Sequence, residues 1–103
     1  MNKKNIIINN HKVYKDRFCN ILEMNNFKIN YIFQSPKHAV NYLSNNLVDI
    51  IFIDIIMPET YGIDLIKKIK ITSPFSKVIY VNMNNDKNTI SKELLNNVDG
   101  YYS

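Results

Sequence analysis

The run Val48–Ile53 is the most hydrophobic stretch of the chain, and it leads directly to a carboxylate, Asp54. Its nearly continuous apolar character predicts a strand that is buried on both faces, as in a parallel sheet covered by helices. A second apolar run, Asn5–Ile8, leads in the same way to Asn9 and Asn10. Open α/β sheets build reactive sites from polar side chains at the carboxyl ends of such strands.

The other segments of the chain alternate between helical and extended patterns. Apolar residues recur at helical spacing over residues 11–25, and Ser35-Pro36 combines a typical N-cap with a proline at the first helical position. The prediction is completed by strands at Ile29–Phe33, at Val78–Val81 and from Gly100, by a helix that follows Gly62 and is broken by Ser73-Pro74, and by a helix over Thr89–Leu95. This alternation predicts a flavodoxin-like, doubly wound α/β fold with a parallel sheet in the order 2-1-3-4-5.

The predicted strand order has a direct consequence for the polar residues. In the order 2-1-3-4-5, the ligand crevice opens where strands 1 and 3 are neighbours, outside their carboxyl ends. That rule predicts that Asn9, Asn10 and Asp54 share one crevice, with Asn82 and Met83 beside it at the end of the fourth strand. The sequence therefore defines a candidate site before any motif is considered.

Length and composition exclude several classes of protein. A chain of 103 residues makes one domain, and its apolar runs are too short to span a bilayer. The net charge is +4, but the twelve lysines are scattered and accompanied by a single arginine, so we expect no direct binding of nucleic acid. Cys19 is the sole cysteine and cannot form an intramolecular disulfide, which fits a cytoplasmic protein.

A motif around the candidate carboxylate resembles a known family. Asp54 is followed by Met57, Pro58 and Gly62, a spacing similar to the phosphoacceptor segment of the response-regulator receiver domain, in the CheY-like superfamily. The segment Val98-Asp99-Gly100-Tyr101 resembles another motif of that family, and the likeness extends over about residues 4–103. It implies a two-component phosphorelay module, a switch rather than an enzyme, whose partner is a histidine kinase or a phosphotransfer protein.

The resemblance also implies roles for individual residues. Asp54 would attack a phosphohistidine and become an aspartyl phosphate, and the backbone carbonyl of Ile56 would be a ligand of Mg²⁺. Asn82 stands where the family has a hydroxyl that binds the phosphoryl group, and Met83 follows at a position that is usually small. Tyr101 matches the aromatic residue that changes rotamer on activation.

The chain departs from the family pattern where the charges should be. The acidic pair that helps to hold Mg²⁺ is replaced by Asn9 and Asn10, and the lysine position falls one residue beyond Ser103. The fifth helix is absent, so residues 1–103 read as a receiver domain truncated at its fifth strand. Because Mg²⁺ prefers charged oxygen ligands, we expect its binding to be weak or lost, with Asn9, Asn10, Asp54 and Ile56 as the residual ligands.

Two functions of different classes remain open. The first is a phosphoacceptor switch that uses Asp54. The second is a degenerate receiver that binds proteins without being phosphorylated. In either case the missing helix predicts an uncovered apolar sheet face, so we expect marginal stability or self-association through that face.

Overall fold

Five parallel strands form one sheet in the order β2-β1-β3-β4-β5. The computed structural model describes residues 3–10, 19–54, 59–81 and 91–102. Within these, the strands are β1 Asn5–Asn9, β2 Tyr31–Phe33, β3 Ile50–Asp54, β4 Lys77–Val81 and β5 Gly100–Tyr102. The predicted fold class and strand order are therefore confirmed.

Four helical segments connect these strands within the described residues. They are residues 19–24 (α1), Pro36–Leu43 (α2), Glu59–Thr72 (α3) and Lys92–Asn97 (α4). The predicted start of α2 is confirmed, because the Ser35 hydroxyl accepts a hydrogen bond from the His38 N–H at 3.4 Å and Pro36 opens the helix. None of these four segments is long and apolar enough to cross a bilayer.

Two predicted helices have different bounds in the structure. Helix α3 begins at Glu59, so Gly62 lies inside the helix, where tertiary burial overrides the low helix propensity of glycine. Helix α4 begins at Lys92 and not at Thr89, because Ser91 has an extended backbone and its hydroxyl caps the helix by accepting from the Leu94 N–H at 3.1 Å. Residues 82–90, like residues 11–18 of the first predicted helix, lie outside the described residues.

The two faces of the sheet carry separate cores. Side chains alternate along each strand, so Ile6 and Ile8 of β1 face one side while Ile7 faces the other. The larger core packs the sheet against α2, α3 and α4. The smaller core joins Ile7, Phe52 of β3 and Leu22 of α1. The central strands are buried on both faces. This confirms the prediction made from their near-continuous apolar pattern.

An apolar groove runs along the α1 face of the sheet. It encloses about 340 Å³ and is lined by Ile21, Leu22, Asn25, Phe27, Phe52, Ile79, Val81, Gly100 and Tyr101. Phe27 closes one side of it, with its ring edge-to-face on Phe52 at 5.6 Å between centroids. Of the helices in the described residues, α1 alone packs on this face, so β4 and β5 form the open side of the groove.

Asp99 ties β5 to the rest of the sheet at the strand's amino end. Its carboxylate accepts hydrogen bonds from the Val78 N–H at 2.8 Å and from the Lys70 ammonium, while its own N–H donates to the Val78 carbonyl. Partial burial raises the pKa of Asp99, but the bonds from Lys70 and Val78 and the charges of Lys70 and Lys77 together bring that pKa below its ordinary value. The ionised carboxylate therefore stabilises the fold.

Two isoleucines of α3 provide a matched test of the larger core. Ile69 is fully buried and Ile71 is 83% exposed. We expect Ile69→Ala to lower the free energy of unfolding by about 2–5 kcal/mol, because it removes buried methyl groups and leaves a cavity. Ile71→Ala should change it by less than about 0.5 kcal/mol. Urea unfolding followed by circular dichroism measures both, and equal losses would contradict this description of the helix.

The pKa of Asp99 predicts a pH dependence of stability. A carboxyl group whose pKa is lower in the folded state stabilises the fold above its unfolded pKa and loses that effect as the pH falls through the folded pKa. Asp99→Asn should therefore cost about 1 kcal/mol at pH 7, and the difference from the unmodified chain should fade below about pH 4. Urea unfolding of both chains from pH 7 to pH 3 checks this, and a difference that is constant with pH would contradict it.

Candidate functional site

The pairing of β1 with β3 brings two polar side chains together at the carboxyl edge of the sheet. The parallel register matches each residue of β1 with one of β3 and ends with Asn9 opposite Asp54. Both residues are the last of their strands, and both are buried, with 2% and 6% of their surface exposed. The predicted juxtaposition of Asn9 and Asp54 is therefore present in the structure.

A direct hydrogen bond joins the two side chains. The Asn9 amide Nδ2 donates to the Asp54 Oδ2 at 3.0 Å. A buried carboxylate is costly unless it is hydrogen-bonded, and the Asn9 amide supplies one such bond without adding charge. An aspartate at the same position would offer no donor when ionised and would repel Asp54. The asparagine thus makes a buried carboxylate compatible with this crevice.

Of the other predicted site residues near the crevice, the structure describes Asn10 alone. Asn10 follows the end of β1 directly and is exposed at the same edge. Ile56, Asn82 and Met83 lie outside the described residues. Their predicted roles, as a backbone metal ligand and as groups next to a phosphoryl group, remain predictions.

Tyr101 lies on β5, one strand beyond β4 and away from the β1–β3 pair. It pairs with Tyr80 of β4, and the two rings stack at 6.2 Å between centroids with an interplanar angle of 13°. Tyr101 is 41% exposed, whereas Tyr80 packs against the larger core. The stack gives Tyr101 a fixed neighbour on the sheet and an exposed side at the surface.

The donor set of the crevice is poor in charge. Within residues 3–10, 19–54, 59–81 and 91–102, no three His, Cys, Asp or Glu side chains lie close enough together to hold a metal ion. At the β1–β3 edge, Asp54 supplies a carboxylate and Asn9 a neutral amide whose NH₂ is directed at that carboxylate. Hard divalent cations prefer several charged oxygens, so these two side chains fit Mg²⁺ poorly.

The sequence predicted that Asn9 and Asp54 share a crevice, but not the hydrogen bond between them. The signal was available, because Asn9 and Asp54 each follow an apolar run of similar length on strands predicted to be neighbours. The sequence also did not predict Asp99 as the anchor of β5. There the signal was a carboxylate at the start of a predicted strand, close to the lysines of α3.

The fold and the crevice together define a class of protein. A doubly wound parallel sheet in the order 2-1-3-4-5, with a buried carboxylate at the topological switch point, is the architecture of CheY-like, flavodoxin-fold domains. The family model of the response regulator receiver domain matches residues 6–103. The chain therefore belongs to the response regulator receiver domain family. No curated protein matches it significantly.

Solved structures of similar fold agree with this family. A CheY-like receiver domain from Methylobacillus flagellatus is 28% identical, with a TM-score of 0.76 over 99% of this chain and 86% of that one. A two-component response regulator from Clostridium difficile is 26% identical, with a TM-score of 0.71 over 97% and 81% of the two chains.

A more distant structure carries a modified site. A response regulator from Burkholderia pseudomallei, with a phosphorylated aspartic acid, a calcium ion and citrate, is 14% identical with a TM-score of 0.73. The alignment covers 98% of this chain and 59% of that one, so the chain spans less than two thirds of that relative's length. Receiver domains are generally non-enzymatic signalling modules that bind Mg²⁺ and interact with histidine kinases or phosphotransfer proteins.

The bond between Asn9 and Asp54 can be measured by a double-mutant cycle. We expect Asn9→Ala to destabilise the chain by about 1–3 kcal/mol, because it removes a donor from a buried carboxylate. In combination with Asp54→Ala, the same substitution should cost less, with a coupling energy of at least about 1 kcal/mol. Asn41→Ala, at an exposed position on α2, is the control and should have little effect. Strictly additive losses would show that the bond contributes nothing to stability.

Proposed function

We propose that residues 1–103 form a receiver domain of a two-component phosphorelay, with Asp54 at the phosphoacceptor position and a weakened Mg²⁺ site. The observation that carries the proposal is the buried contact between Asn9 and Asp54 at the β1–β3 edge. It supports the position of the acceptor, because Asp54 ends a central strand at the switch point. It supports the weakness of the metal site, because the neighbour of Asp54 is an amide.

The proposed reaction is a transfer between two side chains. An oxygen of the Asp54 carboxylate attacks the phosphorus of a phosphohistidine on the partner, the phosphorus–nitrogen bond breaks, and the imidazole leaves with that electron pair. In this chain the Asn9 amide holds the Asp54 Oδ2 and so restricts the orientation of the carboxylate. Asn82 would donate to the transferred phosphoryl group, Met83 would narrow the entrance, and Tyr101 would respond on β5.

The charges around Asp54 determine how efficiently we expect it to accept a phosphoryl group. Phosphoryl transfer depends mainly on positioning and on neutralisation of charge by cations. Two opposite unit charges about 4 Å apart interact by about 4 kcal/mol at an effective dielectric constant near 20. Replacement of two carboxylates by Asn9 and Asn10 removes two such attractions for a divalent cation, although desolvation offsets part of the loss. We therefore propose that Mg²⁺ binds weakly and that Asp54 is a poor acceptor.

The second candidate function is a receiver that binds proteins without phosphorylation. The observation that favours it is the apolar groove on the α1 face, which offers about 340 Å³ between α1 and the strands β3, β4 and β5. Apolar concave surfaces of this kind suit a partner segment or a second copy. A partner segment bound on this face would be compatible with either function. We propose the cytoplasm as the compartment for both, since Cys19 is alone in the sequence.

Phosphorylation of Asp54 can be tested by intact mass after incubation with acetyl phosphate, with and without Mg²⁺. We expect little addition of a phosphoryl group to the unmodified chain, and none to Asp54→Asn. The double variant Asn9→Asp/Asn10→Asp should bind Mg²⁺ and accept phosphate at least about tenfold better, because it restores the charges that attract the cation. A receiver domain with an intact acidic pair serves as the positive control.

The outcomes of this experiment separate the candidates. Complete, Mg²⁺-dependent labelling of the unmodified chain at Asp54 would contradict the weakened site while supporting the acceptor. Labelling of the double variant alone would support both parts of the proposal. No labelling of either chain, under conditions that label the positive control, would reject the phosphoacceptor and favour the binding module.

A further inference from the structure

The end of the sheet opposite Asp54 is formed by two loops that lie side by side. Strands β3 and β4 are parallel neighbours, so the loops that enter them, from α2 and from α3, meet at the amino ends of the strands. Hydrogen bonds fix this contact: the Lys77 N–H donates to the Asp49 carbonyl at 2.9 Å, and the Ser76 hydroxyl donates to the Val48 carbonyl. The Ser73 and Ser76 hydroxyls are 2.6 Å apart. The two loops therefore form one ordered surface.

Large apolar side chains project from this surface. Leu47 is 85% exposed and Phe75 is 90% exposed, and both line a groove of about 270 Å³ formed by residues 43–48 and 72–76. Ile71, on the last turn of α3, is 83% exposed. Single exposed apolar residues are common, but a cluster of them beside a groove is typical of an interaction site. We call residues 43–48 and 72–76 the pole patch.

The charges of the pole patch favour a second copy of this chain as the occupant. The chain carries a net charge of +4, so two copies repel each other overall. The pole patch contains no charged residue, which removes that repulsion where the contact would be closest. At its border, Lys77 and Asp49 are exposed neighbours of opposite sign. A two-fold axis brings each residue of a pair to its counterpart, so Lys77 of one copy can approach Asp49 of the other.

The shape of the pole patch also favours a second copy of the chain as its occupant. A two-fold symmetric contact requires a surface that is complementary to itself, and this patch carries a projecting ring, Phe75, next to a groove. We propose that the pole patch pairs two copies of the chain, with Phe75 and Leu47 of each copy packed on the groove of the other. The proposal does not depend on the phosphoacceptor function of Asp54, which lies at the opposite edge of the sheet.

The size of the patch limits the strength of this contact. Stable complexes bury about 800 Å² on each partner. An aromatic side chain supplies about 150–250 Å² of that area, so Phe75 and Leu47 with the groove walls fall short of it. We therefore expect a weak, reversible dimer with a Kd on the order of 0.1 mM.

Sedimentation velocity from 20 µM to 1 mM protein tests the proposal. We expect a reversible shift from monomer to dimer that persists as NaCl rises from 50 to 500 mM, because salt screens both the net repulsion and the Lys77–Asp49 attraction and leaves the apolar contact intact. Phe75→Ser and Leu47→Ser should each raise the Kd at least about tenfold. Both side chains are exposed, so the variants should retain the circular dichroism and melting temperature of the unmodified chain.

Two control variants locate the contact. Met24→Ser changes an apolar side chain that is 82% exposed at the end of α1, outside the pole patch, and should leave the Kd unchanged. Ile21→Gln alters the groove on the α1 face, and it should also leave the Kd unchanged. A chain that remains monomeric at 1 mM would overturn the proposal. Dimerisation that survives Phe75→Ser but is lost in Ile21→Gln would overturn it as well and would assign self-association to the sheet face.

Discussion

The parallel pairing of β1 with β3 is the contact on which the rest of the structure depends. It runs without interruption from Asn5 opposite Ile50 to Asn9 opposite Asp54. All five residues of β1 and four of the five residues of β3 are buried, so this pair supplies side chains to both cores. A shift of one residue in this register would exchange the side chains of one strand between the two cores, which differ in size and in packing partners, and would separate Asn9 from Asp54. Burial therefore fixes the geometry of the crevice.

Because residue 9 lies opposite Asp54, its side chain determines whether the buried Asp54 carboxylate is stabilised or repelled. Two neighbouring buried carboxylates repel each other unless a cation or a proton neutralises the pair, whereas an amide can donate a hydrogen bond to a buried carboxylate. In this chain the amide of Asn9 donates to Asp54, which is compatible with a resting site that holds no divalent ion. Under the proposed function, the same amide would weaken the attraction for a divalent cation, on which phosphoryl transfer depends. The proposal therefore sets the stability of the buried Asp54 against its reactivity at one residue, Asn9.

The fold could be predicted from the sequence because its clearest patterns, the apolar runs and the alternation of strands and helices, follow directly from which side chains must be buried. The apolar runs of β1 and β3, the Ser35-Pro36 start of α2 and the alternation of elements all reflect packing on two faces of a sheet. Helix boundaries at Gly62 and Ser91 were harder, since a buried contact overrode propensity at the first and a cap defined the second. For the bond between Asn9 and Asp54 and for the anchor at Asp99, the sequence pattern indicates which strand ends carry polar residues, but the bonds themselves depend on register and on side-chain direction.

The two ends of the sheet are specialised in opposite ways, and the reason lies in the direction of the strands. All five strands run the same way, so the polar residues that end β1 and β3 gather at one edge, and the loops that enter β3 and β4 gather at the other. The first edge buries a charge and holds it with an amide. The second exposes Leu47 and Phe75 on loops fixed by Ser73 and Ser76. A contact at the second edge leaves the first open to a partner, so a parallel sheet allows one small domain to be paired and approached at the same time.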